Sequence, residues 1–141
     1  MSRATRFSVA VHTLALIERF RDDRPTSETI AGSVGTNASF VRRVLSLLAR
    51  AGLVRSSAGI AGTTLARPAR KITLLDVYRA VGQEGEHRPA IHQEPNPSCF
   101  VGRRIQGVLE TVIGAADGAF ETELQRRTLA DVMRLIEARA A

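Results

Sequence analysis

The stretch from Thr26 to Gly52 constrains the fold more than any other part of the chain. Ile30, Ala31 and Val34 stand at helical spacing behind Thr26-Ser27, where either hydroxyl can cap a helix with Glu28 or Thr29 in its first turn. Gly35 follows, the residue type suited to the positive φ of a helix stop. Asn37 or Ser39 starts a second helix with an apolar stripe of Phe40, Val41, Val44, Leu45 and Leu48, and Gly52 ends it. Ala31 is small where two helices must approach closely. Gly35 falls four residues on, in the turn, and Val41 six beyond that locks the second helix onto the first. So short a connection reads as a helix-turn-helix, whose second helix can project into a DNA major groove.

The outward positions of that helix are Ala38, Ser39, Arg42, Arg43, Ser46 and Arg50. Arginine pairs with guanine edges or with phosphate oxygens, and a serine such as Ser39 can read a base edge. Charge along the chain agrees. Residues 1–75 carry 12 basic and 4 acidic side chains, net +8, whereas 76–141 carry 8 and 10, net −2. A positive excess confined to one segment points to a polyanion-binding face there; a merely solvated cationic face is the bland alternative. Residues 53–67 hold two short extended runs around a Gly/Ala-rich turn, a hairpin that would serve as a wing. Arg55, Gly59, Gly62 and Arg67 are its candidate DNA contacts, with Arg70 and Lys71 as further phosphate ligands. The glycines are not a nucleotide-binding loop, because neither GxxxxGK[ST] nor a strand-to-helix GxGxxG surrounds them.

Helices flank this head. Phe7, Val11, Leu14 and Ile17 mark one before it, with His12 as a packed or edge polar residue. Leu74, Leu75, Val77, Tyr78 and Val81 mark one after it, starting near Thr73, with Tyr78 as a packing residue. Residues 82–97 show little periodicity and read as an irregular or flexible connector. Beyond it, Ser98 is expected to cap a long helix. Val101, Ile105, Val108, Val112, Ala115 and Ala119 recur in steps of 4, 3, 4, 3 and 4, the seam of a coiled coil. Leu109, Ile113, Phe120 and Leu124 widen the stripe, and Thr128 caps a last helix. So long a stripe on so small a chain is expected to pair with a second copy, with Phe120 counted in the dimerisation set; a self-covering helical hairpin is the alternative.

Several function classes drop out. Aromatics are 4% of the chain with no Trp, so a stacking platform for single-stranded nucleic acid is not expected. The single cysteine, Cys99, excludes an intramolecular disulfide framework and a cluster held only by cysteines of one chain. His87, His92, Glu94 and Cys99 match no metal-ligand spacing, and no metal or cofactor is expected. No nucleophile–base–carboxylate set is visible, so the chain is not expected to be an enzyme. The N-terminus has basic residues before an apolar run, but His12 interrupts it and Glu18-Arg19 ends it without a cleavage pattern. No membrane span is expected, and a cytoplasmic location is.

The ordered set of motifs resembles the BadM/Rrf-type winged-helix transcriptional regulators. The matching stretches are Phe7-Ser8-Val9-Ala10-Val11-His12, Thr26-Ser27-Glu28-Thr29-Ile30-Ala31, Phe40-Val41-Arg42-Arg43-Val44-Leu45 and Leu48-Ala49-Arg50-Ala51-Gly52-Leu53-Val54. Leu65-Ala66-Arg67-Pro68, the run from Ile72 to Val81, Asn96-Pro97-Ser98-Cys99 and Thr128-Leu129-Ala130-Asp131-Val132 complete them. The resemblance implies a homodimer paired through long C-terminal helices that binds operator DNA in a sequence-specific manner, usually as a repressor. It places reading elements at Ser39, Arg42 and Arg43, and wing positions at Arg55, Gly59 and Gly62. Two departures matter. Iron–sulfur members carry three closely spaced cysteines before the long helix, and only Cys99 stands here, so the chain resembles the cluster-free branch. The hairpin tip, Ala58–Thr64, carries no charge.

The expectation is therefore a mainly α fold with a small β-hairpin: a winged helix-turn-helix head at 1–81, a connector at 82–97 and a helical dimerisation region at 98–141. Its partners would be double-stranded operator DNA and a second copy, with an unidentified effector and no membrane. Cys99 reads first as a small buried residue at a cap, and second as a redox or effector site. A nonspecific architectural DNA-binding protein and a winged-helix protein-interaction module are the alternative functions.

Overall fold

A computed structural model describes residues 5–139, so residues 1–4 of the basic start lie outside the described residues. The chain order is α1 (Arg6–Arg19), α2 (Ser27–Val34), α3 (Ala38–Arg50), the strands β1 (Val54–Ser57) and β2 (Ile60–Leu65), α4 (Leu74–Ala80), α5 (Gly102–Arg126) and α6 (Leu129–Ala138). Short 3-10 turns, Arg21–Asp23 and Ala69–Lys71, lead into α2 and α4. The two strands pair antiparallel, with Val54 opposite Leu65 and Arg55 opposite Thr64. The fold is mostly helical with one small hairpin and a long helix near its C-terminal end.

Local chemistry sets most boundaries. Thr26 caps α2 by accepting the Thr29 N–H at 3.3 Å, and Asn37 caps α3 by accepting the Phe40 N–H at 2.8 Å. Gly35 ends α2 at φ 84°, and the Leu53 N–H closes the end of α3 on the Leu48 carbonyl past Gly52. Thr73 and Thr128 open α4 and α6 with matching capping boxes, their partners being Asp76 and Asp131. The long helix departs from expectation. Ser98 does not cap it. The Asn96 side chain accepts the Ser98 N–H and the Asn96 carbonyl accepts the Cys99 N–H, so residues 98–101 form turns and α5 begins at Gly102. A Cβ on Gly102 would sit 2.3 Å from the Asn96 carbonyl oxygen, so the connector crosses the helix start where a side chain would stand.

The core lies under the helix-turn-helix. Leu14 and Ile17 of α1, Ile30 of α2, Val41, Val44 and Leu48 of α3, and Ile72, Val77 and Val81 around α4 are fully buried together. Val9 and Ala10 of α1 are also buried, whereas Phe7 and Val11 pack only partly against the cluster. Leu129, the first residue of α6, is fully buried in the same cluster. An isolated bridge between Thr73 and Thr128 holds it there: the Leu129 N–H donates to the Ile72 carbonyl at 2.8 Å and the Leu74 N–H to Arg127 at 2.9 Å. α5 is thereby tied to the head at its C-terminal end. No helix among the described residues is long and apolar enough to cross a membrane.

Candidate nucleic-acid interface

α3 buries one face and offers the other. Phe40, Val41, Val44 and Leu48 face the core, while Ser39, Arg42, Arg43, Ser46 and Arg50 are exposed. The Arg43 guanidinium lies 5.4 Å from the Phe40 ring centre, which holds its stem along the helix. Arg42 is 3.2 Å from Glu28 in the first turn of α2, a pairing that sequence reading missed because it joins residues across the turn. Arg50 stands at the last residue of α3, away from the helix start. A groove of about 530 Å³ runs between α3 and the hairpin, lined on one side by Arg42 and Ser46 and on the other by Ser56 and Thr63.

The hairpin residues do not all serve one surface. Side chains alternate across a strand. Arg55 therefore lies on the opposite face from Ser56, in a second groove with Arg21, Arg67 and Arg70. Arg67 is 3.7 Å from Asp76 and donates to the Lys71 carbonyl, so it also braces the start of α4. Gly59 sits at the tip with φ 77° and open space around it. Gly62 has a packing reason: at φ 88°, a Cβ there would meet the Arg24 carbonyl oxygen at 2.0 Å. Arg24 itself is left-handed, and its Nε donates to Ala61 at 3.2 Å, anchoring the hairpin to the α1–α2 turn.

A recognition-type helix with two exposed arginines thus stands beside a two-stranded wing and above a helix-turn-helix core. The profile of Rrf2, described as an iron-dependent transcriptional regulator, matches residues 3–135. The chain belongs to the Rrf2 family. YwnA of Bacillus subtilis strain 168, which carries the name of an HTH-type transcriptional regulator, is 44% identical over 129 residues, covering 92% of this chain and 95% of YwnA. A crystal structure named for a DNA-binding protein is 41% identical, with a TM-score of 0.72 over 91% of this chain and 98% of that one. The T. potens IscR structure shares the fold at a TM-score of 0.73 and 24% identity, over 97% of this chain and 90% of its own. The chain thus has the fold of the DNA-binding transcriptional regulators of the Rrf2 family.

An iron centre does not fit this Rrf2 member. Its one thiol is Cys99, and among the described residues no group of three or more His, Cys, Asp or Glu side chains could hold a metal. His87 is engaged elsewhere. Its ring stacks on Phe120 with centroids 3.9 Å apart, its Nδ1 lies 2.7 Å from the Tyr78 hydroxyl, and its Nε2 lies 2.5 Å from Asp117 Oδ1. Burial raises the Tyr78 pKa, keeping that hydroxyl protonated. Arg88 adds a 3.1 Å contact to Asp117. The buried Gln83 side chain accepts the Phe7 N–H. The first part of the connector is therefore fastened between head and α5, which its lack of periodicity concealed.

These contacts also divide α5 into two sides. Leu109, Ile113, Asp117, Phe120 and Leu124 turn inward and are half-buried. Phe120, placed in the dimerisation set, packs instead on Tyr78 and His87 of its own chain. The remaining stripe stays open: Val101, Val108 and Val112 are 61%, 55% and 59% exposed, Ala115 and Ala119 are exposed, and Ile105 is half-buried. Cys99 is exposed beside this stripe rather than buried at a cap. The backbone N–H groups of Gly102 and Val101 hold its thiol below the usual cysteine value.

Proposed function

We propose that the protein is a homodimeric, sequence-specific transcriptional regulator that represses from a pseudo-palindromic operator. The observation that carries the reading is the exposed face of α3, where Ser39, Arg42 and Arg43 stand together beside the hairpin. Arg42 and Arg43 contact base edges or phosphates at the start of the helix, and Ser39 reads a neighbouring edge. The open stripe of α5 supports pairing of two chains, which sets two heads on successive turns of one duplex. Binding at a promoter blocks polymerase or competes with an activator.

Selection of genomic fragments by the purified protein, followed by gel shifts at defined salt, tests this. A recurrent palindromic sequence is expected. Arg42→Ala with Arg43→Ala should abolish its recovery; recovery of the same operator at equal affinity would overturn the assignment of α3. An exposed thiol with a lowered pKa makes Cys99 the place for a redox effector. Unchanged operator affinity after complete modification of Cys99 removes it from the mechanism.

A further inference from the structure

Between the end of α1 and α2 lies a cleft of about 410 Å³, within the range of about 300–1,000 Å³ that small-molecule sites occupy. Leu16, Phe20 and Pro25 give it an apolar wall, and the Phe20 side chain is exposed there. Thr29 and Ser33 of α2 add hydroxyls, and His12 Nε2 lies 2.9 Å from Ser33 Oγ. Asp23 and Arg24 also line the cleft and bring one charge of each sign. Neither is ion-paired among the described residues. The same turn holds the hairpin. The Arg24 Nε donates to the Ala61 carbonyl at 3.2 Å, the Thr63 N–H donates to the Pro25 carbonyl at 3.3 Å, and Gly62 is pressed on the Arg24 backbone. Nε and Nη2 form one edge of the guanidinium, with two parallel N–H groups. Nε serves Ala61, whereas Nη2 is covered and has no hydrogen-bond partner among the described residues.

We propose that this cleft binds a free amino acid with an apolar side chain, and that binding lowers operator affinity through Arg24. An apolar cleft bordered by one unpaired cation and one unpaired anion suits a ligand that carries both charges on an apolar body. The ligand's carboxylate meets the Nε–Nη2 edge of Arg24, which matches two carboxylate oxygens. Its ammonium meets Asp23, and its side chain covers Leu16 and Phe20. A monoanion of the same shape would gain Arg24 but face Asp23 unneutralised, and a monocation would face Arg24. Turning that edge of Arg24 onto the ligand takes Nε from the Ala61 carbonyl. Ala61, Gly62 and Thr63 also border the groove beside α3, so the loaded protein presents that groove differently. The ligand then favours the protein without DNA, which is what coupling between two sites requires. The coupling rests on the DNA-binding reading above; the binding of the amino acid does not.

Calorimetric titration and thermal melting of the full chain without DNA test the site with leucine, isoleucine, valine, methionine and phenylalanine. At least one should bind and raise the melting temperature. The deaminated and decarboxylated analogues of that amino acid, each lacking one charge, should bind about tenfold more weakly or worse. Asp23→Asn should weaken the amino acid by a similar factor and leave operator affinity without ligand unchanged. Fluorescence anisotropy should show operator affinity falling at least about fivefold at saturating amino acid, and operator DNA should weaken the amino acid by the same factor. Absence of binding by all of them overturns the proposal. So does equal binding of an analogue that lacks one charge, or binding that Asp23→Asn leaves unchanged. Binding with no change in operator affinity overturns the coupling through Arg24 and with it the regulatory half of the proposal. If the wild type binds the amino acid but no operator, the DNA reading falls and the site stands.

Discussion

The ion pair between Arg42 and Glu28 places a carboxylate at the edge of a cationic face. Both side chains are exposed, so the pair is worth at most about 1 kcal/mol and yields to DNA. The Glu28 charge then remains near the phosphates and opposes them. Glu28→Gln should tighten binding to random-sequence duplex several-fold at low salt and narrow the gap to operator, as read by fluorescence anisotropy. Glycines show the limit of what residue type reveals. Gly59 and Gly62 look alike in sequence, and both have positive φ, but only Gly62 is pressed against the Arg24 backbone. Gly62→Ala should cost about 2 kcal/mol or more in thermal denaturation, because neither backbone can give way, whereas Gly59→Ala should cost about 1 kcal/mol. The exposed arginines of α3 were legible because the helical period alone decides which face they share. The partner of Arg42 was not, since it depends on how two helices cross.

Two elements begin alike and meet at their beginnings. The Thr73–Asp76 and Thr128–Asp131 boxes put the N-termini of α4 and α6 side by side, where two positive dipole ends would repel. Asp76 and Asp131 place a carboxylate at each end. The Thr128 N–H, at 2.8 Å, is the main cause holding the Asp131 carboxyl below its usual value, with Arg134 and Arg127 adding to it. Its folded pKa is therefore below its unfolded one, so its stabilisation is complete above about pH 4 and fades as pH falls through the folded value. Asp131→Asn should flatten the fall in melting temperature over that acid range. Leu129→Ala should cost about 2–5 kcal/mol, because it empties a fully buried site that ties α6 to the head. Thr73 and Thr128 were readable as caps from local chemistry. Ser98 was misread because Asn96 takes the neighbouring N–H groups first. The contact of Phe120 with Tyr78 was not legible, because a 3–4 spacing shows a stripe without showing which edge turns toward the head.

At the scale of the whole molecule, the 25 residues of α5 include no buried one. At 1.5 Å per residue the helix is about 37 Å long. Its inward side is fastened by Phe120, Asp117 and the connector, and its outward valines are bare. Val108→Glu with Val112→Glu should yield a folded monomer by analytical ultracentrifugation, with the melting temperature of the head retained and operator affinity sharply reduced. Persistence of a dimer would place the contact elsewhere.

Under the proposed pairing of α5 with a second copy, occupancy of a two-headed operator depends on how many chains the cell holds. While monomers predominate, the amount of pairs grows as the square of that number. Doubling synthesis then quadruples the species able to silence a promoter. Such a gene would switch over a narrow range of expression with no small molecule present, and any effector would act by moving that threshold.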